Sequence, residues 1–359
     1  MSKSNHHRDH TRMVPSKLVL RNGEVYEGAS PDWCHEDTFG EVVFTTGMMG
    51  YVESITDPSF AGQILTFTFP LIGNYGVPEA KFWESSKIHL RGCIFSEISA
   101  FCNHHQAVQS LDSWLKEQKI PYMCGVDTRA LTKSLRTQGA ALGAIVKNKD
   151  IPEHFPDPNK THLVSSVSTK KIQELGSGKK KIIAVDCGMK ENIIRSLQKF
   201  PIQIKRVPFD YDYSEEEFDG VFISNGPGDP ILCQETVAVL QKVLQKKKPI
   251  FGICLGAQLL ALSIGAKTFK LPFGHRGQNQ PCEFLNSNRC YLTSQNHGYA
   301  IDETTLPKEW EVTFRNLNDA SVEGIAHRSL PYFAVQFHPE ASPGPLDTLW
   351  LFEQFYQLL

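Results

Sequence analysis

No stretch of this 359-residue chain reaches the roughly 18 consecutive apolar residues that a membrane-spanning helix needs, and its start, Met1 to Arg12, lacks the apolar segment of a secretory signal. A cytoplasmic protein with no membrane partner is expected. Excess charge is missing too. Lysine and arginine total 37 against 39 acidic residues, a net charge of -2, which argues against nucleic acid or an anionic membrane as the main partner. Nine cysteines are scattered without the paired spacing of a zinc site or a disulfide framework, so no metal is expected and most thiols should be reduced. No Gly-x-x-x-x-Gly-Lys-Ser/Thr loop for nucleotide phosphates occurs, although other nucleotide-binding folds do without it. The histidines of Asn5–His10 have nothing nearby to fix coordination geometry and read as part of a disordered tail over 1–16. Asn103-His104-His105 reads as a solvated helix start or loop.

What is present is a nucleophile elbow with sulfur in place of oxygen, Pro249-Ile250-Phe251-Gly252-Ile253-Cys254-Leu255-Gly256-Ala257-Gln258. The apolar run continues a buried strand, and the two flanking glycines leave room for a sharp strand-to-helix turn that exposes the nucleophile. At a helix N-terminus the macrodipole and unpaired N–H groups favour a thiolate. Read alone, a small core cysteine in a tight turn would fit as well.

Two further segments raise the chemical reading. Tyr332 to Glu340 is a strand-like run that delivers His338 and Glu340 into a loop stiffened by Pro339. Cysteine, histidine and carboxylate are the three parts of a thiol triad, in which the histidine moves the proton and the acid orients it. Phe222 to Pro230 opens a strand into a Gly-Pro loop whose N–H groups can face a developing negative charge. The oxyanion hole is assigned to the N–H of Leu255 together with one near Gly226.

The chain divides by composition. Residues 17–167 hold short β-rich runs punctuated by Gly and Pro, with helical patterns at 107–117 and 128–138, and imply a smaller β-rich α/β domain. Residues 168–180 are polar and basic, contain Gly176 and Gly178, and read as a linker. From 181 to 359 continuous apolar strands alternate with helices, the pattern of a mostly parallel open α/β sheet covered on both faces. In such a sheet sites form beyond the carboxyl ends of strands, where Gly226, Cys254 and His338 fall.

These segments, in this order, resemble the class I (triad) glutamine amidotransferases. Ser294-Gln295-Asn296-His297-Gly298-Tyr299 and His338 to Pro345 narrow the resemblance to the small, glutamine-hydrolysing subunit family of carbamoyl-phosphate synthase. Gly40 to Tyr51, Thr56 to Ser59, Ile72 to Gly76 and Val126 to Arg129 are similar to that family's amino-terminal domain. The resemblance implies a flavodoxin-like glutaminase domain in a hetero-oligomer with a large subunit that binds ATP and Mg²⁺. This chain would need no cofactor of its own. It further implies hydrolysis of L-glutamine to glutamate and ammonia, the ammonia going to carbamoyl phosphate for arginine and pyrimidine synthesis. It places Gly228, Gln258, Asn296, Gly298 and Tyr299 around glutamine.

Two positions depart from the pattern. Ala257 stands where the family usually has histidine, and Gly47 where it usually has a serine that touches glutamine, leaving at most a backbone contact at 47. Three other readings stay open: a glutaminase serving a different synthase, a thiol hydrolase of γ-glutamyl compounds acting alone, and a docking subunit with a silent site.

Overall fold

The computed structural model describes residues 11–147, 152–287 and 289–359, and so the histidine-rich stretch of 5–10 lies outside the described residues. Seven strands form the first sheet, in the order Val25–Pro31, Met13–Leu20, Ala141–Val146, Thr38–Thr45, Gln63–Phe67, Gly92–Ile94, Tyr122–Met123. The first half pairs antiparallel, and Thr38–Thr45 through Tyr122–Met123 run parallel. Alternate residues of these strands separate two cores, one around Val43, Leu65 and Trp114, the other around Val42, Ile64 and Leu131.

The Thr128–Gln138 helix begins where the sequence pattern places it, because the Asp127 carboxylate accepts the Ala130 N–H at 2.8 Å as an N-cap. Its apolar stripe, Leu131 and Leu135, is buried against the sheet. The expectation of a disordered tail over 1–16 fails at its described end. Met13 to Ser16 belong to the first strand, pairing with Pro31 to Gly28, and Ser16 is buried against Ser30 at 2.8 Å. Pro15 misled there: a proline reads as a break, yet it is tolerated because the strand pairs on one side only until Lys17.

The second sheet has ten strands. Its centre is five parallel strands in the order Ile202–Pro208, Lys180–Asp186, Gly220–Ile223, Ile250–Ile253, Tyr332–Val335. Helices Glu191–Leu197 and Trp350–Leu358 share one core with Phe222 and Phe251, and Gln234–Leu244 and Leu255–Ser263 share the other with Val221 and Ile250, so both faces are covered as expected. Beyond Tyr332–Val335 the sheet continues antiparallel through Val322–His327, Trp310–Asn316, Lys267–Phe284 and Arg289–Asp302, the last two forming a long bulged hairpin. This extension was not anticipated from the sequence.

The stretch 168–180, expected as a linker, instead carries the strand Gln173–Gly176, which pairs antiparallel with Gln203–Arg206 as the sheet's outer edge. Charged residues on an edge strand block further pairing, and that composition is indistinguishable from a linker's. Among the described residues no helix is long and apolar enough to cross a membrane.

Candidate active site

Cys254 terminates the Ile250–Ile253 strand and precedes the Leu255–Ser263 helix, at φ 53° and ψ -106°. That backbone is unusual for a residue with a side chain and is held by its neighbours. Its N–H donates to Val335 O at 2.8 Å, and its carbonyl accepts from Ala257 and Gln258 at 3.0 and 3.2 Å. Gly256 permits the turn, since a Cβ there would lie 2.2 Å from Ile223 O. Gly226 is required by the same kind of approach, its missing Cβ falling 2.0 Å from Cys187 O and 2.7 Å from Leu255 Cδ2. The Leu255 and Gly226 N–H groups donate to no loop or cap acceptor among the described residues, as an oxyanion pair must.

His338 and Glu340 lie just past the Tyr332–Val335 strand. His338 Nδ1 meets Glu340 Oε1 at 2.7 Å, while Nε2 is buried, has no hydrogen-bond partner and lies beside Cys254. Burial alone would lower the histidine's pKa, but the Glu340 carboxylate and the Cys254 sulfur outweigh it and push it up to about 10. Burial would raise Glu340, yet Lys190 and His338 pull it down to about 2. An imidazolium held by an ionised acid results.

The cysteine opens into a narrow cavity of ≈ 30 Å³ walled by Gly226, Gly228, Gln258, Asn296, Gly298 and Tyr299. These are residues that the family resemblance groups around glutamine, drawn together from three segments. Gln258 is oriented by bonds from its Nε2 to Tyr299 O at 3.0 Å and Gln336 Oε1 at 3.1 Å, and Asn296 O accepts from Cys254 Sγ at 3.6 Å. Gly47 is not in this wall. A Cβ at position 47 would come within 2.7 Å of Gln278 Nε2, so the Gln278 side chain fills the space a serine would use. Ala257 is buried on the helix in the core beside Leu255.

Behind Asn296–Tyr299 lies a buried polar network. Gln295 Oε1 is 3.0 Å from His275 Nδ1 and 2.9 Å from His297 Nε2, His275 Nε2 reaches Asp319 at 2.7 Å, and Glu323 Oε1 lies 3.3 Å from His275. Burial opposes charge on His275, but Asp319 and Glu323 raise its pKa to about 9. Burial holds His297 well below the usual imidazole value. His275, His297 and Glu323 are close enough to hold a cation, yet each already has protein partners, and their evident effect is to fix the strand that carries Asn296.

Sequence reasoning missed the contributions of the first sheet's segment. Asp57 accepts from Asn296 Nδ2 at 2.8 Å and, through its other oxygen, from Asn225 Nδ2 at 3.4 Å and Ser59 N–H at 2.9 Å. Buried Lys190 lies 3.1 Å from Glu340 Oε1 and also bonds Ala341 O. Burial opposes its charge, but Glu340, Glu84 and Asp57 together raise its pKa. Glu84 accepts from Asn192 N–H, Arg195 and Ser342 Oγ at 2.9, 2.5 and 2.7 Å, tying the first segment to the loop that bears Glu340.

Residues 18–145 match the family model described as carbamoyl-phosphate synthase small chain, CPSase domain, and residues 183–358 match glutamine amidotransferase class-I. The carbamoyl phosphate synthase arginine-specific small chain of Neosartorya fischeri is 47% identical over 353 residues, which cover 94% of this chain and 78% of that one. This chain belongs to the carbamoyl-phosphate synthase small-chain family. Family members also occur inside larger proteins. Multifunctional protein CAD of Squalus acanthias is 51% identical over 331 residues, covering 89% of this chain and 15% of that one. Multifunctional protein URA2 of Saccharomyces cerevisiae is 45% identical over 384 residues, covering 95% of this chain and 17% of that one. The chain therefore spans less than a fifth of the length of these two multifunctional relatives.

Proposed function

We propose that this chain hydrolyses L-glutamine at Cys254 and passes the ammonia to a separate large synthetase polypeptide, which binds ATP and Mg²⁺ and makes carbamoyl phosphate for arginine and pyrimidine synthesis. The observation that carries the reading is the buried His338–Glu340 pair at 2.7 Å with the free Nε2 beside Cys254.

In this reading Cys254 Sγ attacks the side-chain amide carbon of glutamine, and the Leu255 and Gly226 N–H groups hold the oxyanion. Collapse to the thioester breaks the C–N bond, and His338 supplies the proton that leaves with ammonia. The neutral histidine then takes a proton from water, whose oxygen attacks the thioester and frees glutamate and the thiol. Glu340 orients the imidazole and stabilises its cation, and Lys190 keeps Glu340 ionised.

A place for ammonia to go supports the coupling. His338 also borders a second cavity, of ≈ 20 Å³, with Asp57, Lys190, Gly277, Gln278 and Pro343. Gln278 and Pro343 in turn border a groove of ≈ 840 Å³ where the two sheets' segments meet. Ammonia kept out of bulk water stays unprotonated and nucleophilic.

In the complex with the large subunit, Cys254→Ser is expected to abolish synthesis from glutamine while synthesis from added ammonia continues. Equal loss of both would contradict the division of labour.

A further inference from the structure

Arg276 is a buried cation without an anion. It lies on the Lys267–Phe284 strand directly opposite Asn296, in the wall of the cavity that holds Cys254, and is 5% exposed. Nη1 donates to Phe273 O at 2.6 Å, Nη2 lies 3.4 Å from where a Cβ on Gly298 would sit, and Nε is buried with no partner. Among the described residues no carboxylate pairs with it. Two other cations that line the cavities at the site are paired, Lys270 with Glu41 at 2.5 Å and Lys190 with Glu340 at 3.1 Å. Burial depresses the guanidinium's pKa, with only Glu41 and the Cys254 sulfur opposing. A desolvated, unpaired guanidinium is costly in the free protein, and a planar fork of donors suits a carboxylate.

Glutamine brings one permanent negative charge, its α-carboxylate. The transient oxyanion already has the Leu255 and Gly226 amides, and Lys270 is held by Glu41. We propose that Arg276 binds the α-carboxylate of the amino-acid substrate and so sets the preference for free glutamine over γ-amides that lack that charge. The inference rests on the glutaminase reading.

The test compares kcat/KM for L-glutamine and for its α-methyl ester, in which a neutral and slightly larger ester replaces the carboxylate, in wild type, Arg276→Gln, Arg276→Met and Arg276→Lys. Losing a charge-assisted bond should lower kcat/KM for glutamine about 10- to 100-fold in Arg276→Gln, chiefly through KM, while the ester changes by no more than about twofold. Arg276→Lys should recover part of the preference. Equal losses on both substrates would assign Arg276 to the scaffold or to the sulfur and overturn the proposal. Should Arg276→Gln show no unfolding transition, the neutral Arg276→Met decides, and an unchanged preference for glutamine over the ester in that variant overturns the proposal. A wild-type chain that hydrolyses neither substrate would instead remove the glutaminase reading and this one with it.

Discussion

The Asn296 amide donates to Asp57 Oδ2 at 2.8 Å, joining residues that are distant in sequence and packed around different sheets. Because the Asn296 carbonyl also accepts from Cys254 Sγ, the amino-terminal segment reaches the nucleophile through a single residue. Asp57→Ala would strand the Asn296 side-chain and Ser59 backbone donors, while Asn225 Nδ2 keeps Ser59 Oγ at 2.8 Å. The expected cost is about 2–4 kcal/mol of stability, read by urea unfolding, with a roughly tenfold loss of glutamate release. Unchanged turnover would show that the first sheet's segment does not set the site.

The charges of the triad give stability opposite pH limits. His338 has a raised pKa, so its contribution is complete below about 6.5 and is lost as pH rises toward about 10. Glu340 has a lowered pKa, so its contribution is complete above about 4.5 and is lost as pH falls through about 2. Thermal melts of wild type and His338→Gln between pH 6 and 10 should therefore converge as pH rises. Parallel curves would mean that His338 is not held charged.

Gly47→Ser restores the family's residue but places a Cβ 2.7 Å from Gln278 Nε2. Alone it should destabilise by about 1 kcal/mol, and Gln278→Ala should relieve that cost in the double variant. Additive melting shifts would show that the two positions do not compete for space.

Glu84 is buried and receives Arg195, Asn192 N–H and Ser342 Oγ. Glu84→Ala leaves those donors unpaired, and a loss of about 3 kcal/mol is expected. Hydrogen exchange should rise in the loop around Ala341 and Ser342. Exchange confined to residue 84's own neighbourhood would argue against the tie.

The second sheet's parallel half was readable because four of its five strands, all but the alternating Ile202–Pro208, hold runs of apolar residues. Cys254, His338 and Glu340 were readable for the same reason, since each sits where a strand ends. Lys190, Asp57 and Glu84 were not, because their partners are remote in sequence and no local pattern marks a buried charge whose counter-ion comes from another segment. The hairpin of Lys267–Phe284 and Arg289–Asp302 escaped because its bulges and buried polar residues break the alternation that would reveal a strand. The edge strand Gln173–Gly176 escaped because it has a linker's composition.

The central claim is that Cys254 is the nucleophile of a glutaminase coupled to a synthetase. The direct measurement is glutamate release from L-glutamine by wild type and Cys254→Ser, each with and without the large synthetase subunit. The account predicts release that requires Cys254 and rises when the partner is added. Absence of Cys254-dependent release under both conditions would contradict it and leave a docking subunit with a silent site.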